Sequence, residues 1–416
     1  MDSLSEELAW RGFVNQTTFA DLKELDSKTW TFYHGFDASA DSQTIGNLAA
    51  MMFDKVFLRH GHKAVLLAGG ATSLIGDPGG KDKERSLQDE STIAHNVARA
   101  EDQLKIVFKG YDFKLVNNLD WYRDMNVMHF LRDVGKHFSM TPLVQRDYIA
   151  KRMGEGGVGI SYTEFSYTIL QGFDFWHLYK KYGVELQLAG ADQWGNSLSG
   201  VDYIRRVEGK EAHVMTCALV INKATGVKFG KSEEGAVWLD PKKTSPYKFY
   251  QFWLNVDDEG VENYLKIYTE LSKEQYDEVM QKFTKDRASR LAQKTLAYEV
   301  TKLIHGQKAA DTQVNIAKAL FGDEASELGP EEFQSLAMEL PVAQVPKNMT
   351  SGDLFEALVE TGLASSKSEA RRFLQAGAIY LNNVKLEPDG GLLYDASASH
   401  ALIRRGKNTQ ALLKIN

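Results

Sequence analysis

Three short apolar runs, HKAVLLAGG (62–70), VELQLAG (184–190) and HVMTCALVIN (213–222), are each bounded by glycine or polar residues. Between the first two lies EFSYTILQGFDFWHLYKKYG (164–183), which has helical spacing. This alternation constrains the fold more than any other feature. Strands separated by helices lie parallel, in a sheet with helices on both faces. Ligands of such sheets sit beyond the carboxyl ends of the strands. The glycine-rich AGGATSLIGDPGG (68–80) and AGADQWGN (189–196) both follow strands and mark the expected site. From residue 240 to 320 the pattern turns helical, as in VENYLKIYTELSKEQYDEVMQKF (261–283) and RASRLAQKTLAYEVTKLIHG (287–306). LPVAQVPKNMTSGD (340–353), with Pro341 and Pro346 in a polar setting, reads as a linker to a compact last segment.

The chain has 416 residues, 25% charged and 43% hydrophobic, the balance of an ordinary globular protein of two or three domains. A net charge of −7 opposes a generally basic, nonspecific nucleic-acid binder. The charge is uneven, however: residues 351–416 hold eight Lys and Arg against seven Asp and Glu. The single cysteine, Cys217, excludes an internal disulfide. MDSLSEELAWRGF at the N-terminus is acidic and amphipathic, unlike a signal peptide, and no apolar run nears the roughly 18 residues of a membrane span. A cytoplasmic protein without a membrane partner is expected.

Several segments could carry chemistry. DSQTIGNLAAMM (41–52) is a polar turn running into an apolar helix, with Gly46 in its first turn. Either Ser42 or Thr44 caps the helix, or a phosphate approaches the backbone closely there. In KFGKS (228–232) two lysines flank a glycine, giving a cationic loop suited to a triphosphate or simply to solvent. GDPGGKDKER (76–85) is either an Asx-type turn with a solvated charge run or a second cationic loop with Asp77 facing an ammonium group. In SYTEFSYTILQGFDF (161–175), Tyr167, Gln171 and Asp174 fall on one helical face, as a polar wall for a small amphoteric ligand or a part-exposed surface. His60 and His62 lack a completing Cys or carboxylate cluster, so no protein-bound metal is expected. The common nucleophile-elbow, P-loop and dinucleotide fingerprints are missing from the sequence.

In order and spacing, FYHGFDASADSQTIGNLA, GGATSLIGDPGGKDKER, SYTEFSYTILQGFDF, LQLAGADQWGN, KFGKS and AVWLDPKKTSPYKFYQFW resemble bacterial-type tyrosyl-tRNA synthetases, which are class I enzymes. The resemblance covers nearly the whole chain. It implies an α/β Rossmann-like catalytic domain with a parallel sheet over 1–235, an α-helical anticodon-binding domain over 236–335 and a small α+β S4-like domain over 350–416. It also implies L-tyrosine, ATP with Mg²⁺ and tRNA(Tyr) as partners, and a homodimer. The tyrosine carboxylate would attack the α-phosphate of ATP, and the tRNA terminal ribose hydroxyl would then take the tyrosyl group.

Carried over by the resemblance, Tyr33 and Asp174 would read the phenol hydroxyl, and Asp77, Tyr167 and Gln171 would hold the α-amino group. Gln193 would lie near the carboxylate. Asp37, Ser39, Gly46, Gly190 and Asp192 would border the adenylate, with Gly190 and Asp192 chiefly at the ribose. Lys228, Lys231 and Ser232 would stabilise the leaving pyrophosphate, assisted by Lys81 and Arg85. A pair that hydrogen-bonds a hydroxyl rejects the analogue lacking it, because its own polar groups would be stranded.

The chain departs from the family where TIGN replaces the usual His-Ile-Gly-His: Thr44 and Asn47 stand in for two ATP-contacting histidines. His34 occupies a position often held by cysteine, and Ser39 one usually held by threonine. TIGN is similar to the corresponding motif of bacterial tryptophanyl-tRNA synthetases, so activation chemistry leaning on the lysine loops is expected. The alternatives are a synthetase for another aromatic amino acid and a catalytically impaired relative that binds RNA. In the tail, SSKSEARRFLQAGAIYLNNVKL (365–386) resembles an S4-type RNA-binding module. There Ser366 and Glu369 form the pattern of a capping box, and Lys367, Arg371 and Arg372 cluster for RNA phosphates.

Overall fold

The computed structural model describes residues 2–36, 38–76, 89–144, 147–157, 159–221, 226, 229–232, 235–321, 328–388, 399–406 and 409–416. The chain divides into two compact units, one comprising Met1–Thr244 with Phe252–Leu296, the other Ser245–Gln251 with Ala297–Asn416.

In the first unit, Val14–Thr17 (β1), Thr31–Phe36 (β2), Lys63–Ala68 (β3), Phe113–Asn117 (β4), Leu186–Gly190 (β5) and His213–Cys217 (β6) form one sheet in the order β1-β6-β5-β2-β3-β4. Strands β2 to β6 are parallel, and β1 joins β6 as an antiparallel edge. The sheet is therefore mixed, where the apolar runs alone suggest a wholly parallel one. In β3 the five residues after Lys63 are buried consecutively, as expected of a strand covered on both faces.

Successive residues of β2 serve opposite faces. Tyr33 packs with Val65 and Leu67 against Phe175 and Leu178 of the Tyr162–Tyr182 helix. Phe32 meets Phe57 of the Ile45–Arg59 helix, with ring centroids 5.4 Å apart. The strand order reverses between β2 and β5. The chain adds β3 and β4 outward on one side of β2, then returns to add β5 and β6 on the other. Such a reversal opens a crevice at the carboxyl ends of the two central strands.

The Tyr162–Tyr182 helix is fixed at both ends. Ser161 and Glu164 form a reciprocal capping box, and Gly183 ends the helix in the left-handed conformation at φ 66°. Arg152 grips Glu164 with two hydrogen bonds, of 2.7 and 3.0 Å. The helical pattern of 261–283 breaks into Val261–Tyr268 and Lys273–Lys285, because Ser272 starts a new capping box with Gln275. A short antiparallel pair, Lys231–Ser232 (β7) with Gly235–Ala236 (β8), follows the sheet.

In the second unit, Val342–Val345 (β9), Ile379–Leu381 (β10), Val384–Lys385 (β11), His400–Arg405 (β12) and Thr409–Ile415 (β13) form a sheet ordered β11-β10-β12-β13-β9. The supposed linker is thus partly an edge strand: β9 pairs parallel with β13, burying Ala343 and Val345. Pro341 and Pro346 bracket β9 without interrupting it, which an edge position tolerates. Ser366 caps the Lys367–Gln375 helix through the Glu369 N–H (3.2 Å), but the reciprocal half of the expected capping box is displaced. The Glu369 carboxylate instead accepts the Ser365 N–H (2.7 Å) and hydroxyl (2.6 Å). Among the described residues, no helix is long and apolar enough to cross a membrane.

Candidate active site

The crevice between β2 and β5 holds a cavity of about 140 Å³. Tyr33 enters it from β2, Tyr167, Gln171 and Asp174 from the Tyr162–Tyr182 helix, and Gln193 from the turn after β5. The helical period therefore brings together the three residues whose spacing suggested a common face, and the sheet supplies Tyr33 opposite them. The Tyr33 hydroxyl and the Oε1 atoms of Gln171 and Gln187, all lining this cavity, are buried without a hydrogen-bond partner in the protein. Buried polar atoms rarely go unsatisfied, so three at one cavity signal a polar ligand.

Asp174 is 1% exposed, and its carboxylate is held from two sides. Asn118 Nδ2 donates to one oxygen at 3.1 Å and Trp121 Nε1 to the other at 2.9 Å. Burial pushes the carboxyl up to about 6, against the pull of the donors Asn118, Trp121 and Tyr122. Burial, then the charges of Asp174 and Tyr167, raise the Tyr33 phenol well above its usual value, so its hydroxyl stays a donor. An ionised carboxylate has about four acceptor positions, so Asp174 retains capacity for a ligand hydroxyl.

Asn118 and Trp121 are functional residues that the sequence reasoning missed. They lie just beyond β4, whose burial is irregular and which forms no apolar run. Asn118 also receives the Ala71 N–H at 2.7 Å and donates to Thr72 Oγ1 at 3.1 Å. The asparagine pair 117–118 after a strand-like KLV is the one available signal.

At the start of the Ile45–Arg59 helix, Asn47 Oδ1 accepts both the Thr44 backbone N–H (3.0 Å) and the Thr44 hydroxyl (2.8 Å). Thr44 is the N-cap residue. Ser42 is buried, accepting from Gln103 Nε2 at 2.8 Å and from the Asp240 N–H at 3.2 Å. The segment after KFGKS is sewn onto this helix start and onto Gly230: Leu239 N–H donates to Gln43 O, Ile45 N–H to Val237 O and Val237 N–H to Gly230 O, at 2.9–3.0 Å. Gly230 has φ 106°, and a Cβ there would press within 3.1 Å of Ile45 Cγ1 and 3.3 Å of Gly46 N. Gly230 thus lies against the Gly46 backbone. Phe229 anchors the same loop, stacking on Tyr264 with centroids 4.2 Å apart.

The backbone of Lys231 and Ser232 forms β7. Asp37, Asp77, Lys81, Arg85 and Lys228 lie outside the described residues. Ser39, Gly46, Asn47 and Asp192 are exposed, and none lines the cavity. Gly190 ends β5, where a Cβ would stand 2.7 Å from Asp192 Oδ1. His60 bonds Glu7 through Nε2 at 2.8 Å, and His62 Nδ1 accepts the Trp30 N–H at 2.9 Å, so the two serve separate structural contacts.

In the second unit, Lys367 pairs with Glu356 and Arg372 with Glu369 (3.2 Å), both exposed pairs of little net strength. The Arg371 guanidinium lies 5.7 Å from the Phe355 ring. Arg372 and Arg405 approach the Phe373 ring, at 5.8 and 4.9 Å. Arg405 thus joins the basic cluster from β12, a neighbour invisible in the helix alone.

The family of class I tRNA synthetases for tryptophan and tyrosine matches residues 25–322, the span containing β2 to β6 and the crevice. The tyrosine–tRNA ligase C-terminal domain family matches residues 332–413. The chain belongs to the tyrosyl-tRNA synthetase family. It is 43% identical to tyrosine–tRNA ligase of Geobacillus kaustophilus over 429 residues, covering 100% of both chains. It is 42% identical to tyrosine–tRNA ligase 2 of Bacillus cereus over 426 residues, covering 99% of this chain and 100% of that one. Among solved structures, a C-terminally truncated mitochondrial tyrosyl-tRNA synthetase from Aspergillus nidulans superposes with a TM-score of 0.69 at 30% identity. That match covers 77% of this chain and 95% of the other.

Two predictions come from this geometry. Because the Asp174 carboxyl titrates near 6, above its ordinary 3.8, the native state binds its proton more tightly than the unfolded chain. Stability should therefore fall, by about 3 kcal/mol, as pH rises from about 4 to 6. Over the same interval ionisation creates the acceptor, so KM for tyrosine should drop as pH rises through 6. Asp174→Asn should raise that KM on the order of a hundredfold and flatten its acid limb, as steady-state assays across pH would read. Second, Gly230→Ala places an L side chain at φ 106° against Gly46, at a cost of roughly 1–3 kcal/mol. Single-turnover measurements should show slower tyrosyl-adenylate formation with tyrosine KM unchanged; a wild-type rate would mean that the loop's seat is not needed.

Proposed function

We propose that this chain activates L-tyrosine with ATP and transfers the tyrosyl group to the 3′ end of tRNA(Tyr). The observation that carries the reading is the unpartnered Tyr33 hydroxyl in the cavity where Asp174, fixed by Asn118 and Trp121, keeps acceptor capacity. A phenol hydroxyl entering there accepts from Tyr33 and donates to Asp174. Phenylalanine would strand both groups.

Tyr167 and Gln171, with Asp77, hold the α-amino group, and Gln193 borders the carboxylate. The carboxylate attacks the α-phosphate of ATP, and pyrophosphate leaves. The ribose hydroxyl of the tRNA terminus then attacks the tyrosyl carbonyl, and AMP leaves. Asp37, Ser39, Gly46, Asn47, Gly190 and Asp192 border the nucleotide. Lys228, Lys231 and Ser232, with Lys81 and Arg85, neutralise the departing diphosphate. Mg²⁺ arrives with ATP as part of the substrate. Residues 1–235 do the chemistry, 236–335 meet the anticodon, and 350–416 bind RNA through Lys367, Arg371 and Arg372. The cytoplasm, where tRNA is charged, is the expected location.

Amino-acid-dependent pyrophosphate exchange into ATP, run with tyrosine, tryptophan and phenylalanine, tests the chemistry. Tyrosine alone should give signal, and Lys231→Ala should depress it. Exchange with tryptophan would shift the specificity, and silence with all three would leave an RNA-binding relative. Replacing Lys367, Arg371 and Arg372 together by alanine should weaken tRNA charging and lower its salt dependence while sparing exchange; unchanged charging would refute the RNA role.

The chain works as a homodimer. Val127, Met128, Leu131, Met140, Met153 and Tyr162 are all exposed within residues 127–162, an apolar concentration that a second copy would cover. Sedimentation velocity should report a dimer at micromolar concentration; a monomer would refute this.

A further inference from the structure

His34 and Phe32 share one face of β2, the face that meets the Ile45–Arg59 helix. One turn before Phe57 on that helix, Asp54 is 3% exposed and bonds His34 Nδ1 at 2.8 Å. The His34 side chain is only 13% exposed, yet it lines the crevice cavity. Its strand neighbours in register are the apolar Leu66 and Leu188. A buried ion pair costs several kcal/mol of desolvation per ion and is weak evidence for a stabilising role. It therefore needs another explanation.

With Nδ1 committed to Asp54, Nε2 is the ring's remaining polar atom. A neutral imidazole donating through Nδ1 has only a lone pair at Nε2; it becomes a donor there only when protonated. The titratable groups around it are Asp54 on the helix and Asp192 after β5, and Cys217 at the end of β6 feels the charge of both carboxylates. Asp37, just beyond β2, lies outside the described residues. Burial works against the imidazolium, but the charge and hydrogen bond of Asp54, with Asp192 adding, outweigh it and shift His34 upward. Burial pushes Asp54 up too, against the pull of His34. The Cys217 thiol is pushed up to about 12 by burial and stays neutral.

At the neighbouring helix start, Thr44 and Asn47 bond each other and neither can become cationic. Resting on the activity proposed above, we propose that His34 is a catalytic residue of tyrosine activation. As an imidazolium oriented by Asp54, it donates its Nε2–H to the nucleotide half of the forming adenylate and supplies a cationic donor that the Thr44–Asn47 pair lacks. Asp54 is a positioning residue: its carboxylate holds the ring and favours the charged form.

The test is tyrosine-dependent pyrophosphate exchange measured across pH for the full chain and for His34→Gln, Asp54→Asn and the double variant His34→Gln/Asn47→His. Wild-type kcat/KM for ATP should fall as pH rises through the His34 titration. His34→Gln should lower it about tenfold, as expected for one charge-assisted hydrogen bond, and remove that alkaline limb. Its KM for tyrosine should stay within about twofold. Asp54→Asn keeps an acceptor for Nδ1–H but loses the charge, so the limb should move to lower pH. Asn47→His should restore part of the rate lost in His34→Gln. A wild-type rate and pH profile in His34→Gln overturns the proposal. So does equal damage to tyrosine and ATP use in both single variants that melt at the wild-type temperature. Silence of the wild type with tyrosine would instead overturn the activity itself, and this inference with it.

Discussion

The arrangement depends on one buried carboxylate that lines the crevice cavity. Asp174 is destabilised by burial and is retained because two fixed donors, Asn118 and Trp121, hold it beneath the Tyr33 hydroxyl. Those donors come from the turn after β4, and the strand order puts that turn on the same side of β2 as the Tyr162–Tyr182 helix. The reversal between β2 and β5 then leaves the pair facing open space rather than another strand. The polar atoms thus converge because the sheet splits there.

The start of the Ile45–Arg59 helix is built differently. Its first turn carries no charged side chain, and its backbone is bonded to the segment after the lysine loop. Ile45 N–H, an orphan donor at any helix start, bonds Val237 O, and Gly230 lies against Gly46. The helix start and the Gly230 turn are therefore one backbone assembly. Among the described residues, His34 of the His34–Asp54 pair is the one imidazole lining the crevice cavity.

Much of this was legible in the sequence. The spacing of Tyr167, Gln171 and Asp174 set them on one face, and β3, β5 and β6 stood out as apolar runs. The crevice cavity, however, needs β2, and TFYHGF has no run or clean alternation, since its two neighbours and two faces make different demands. Asn118 and Trp121 meet Asp174 across more than fifty residues, a proximity that local pattern cannot encode. The supposed linker shows the same limit. Val-Ala-Gln-Val between prolines reads as a connector until β13 offers it an edge.

The parallel pairing of β9 with β13 has a consequence for assembly. It closes a loop of roughly sixty residues, an entropic cost of about 4 kcal/mol before any strand contact repays it. The antiparallel β12–β13 hairpin closes over a few residues and is free to form early. The small sheet thus has a built-in order of events: the hairpin templates, and β9 docks last. A nascent or clipped chain lacking β13 would leave β9 an unmet edge, open to strand exchange with another molecule.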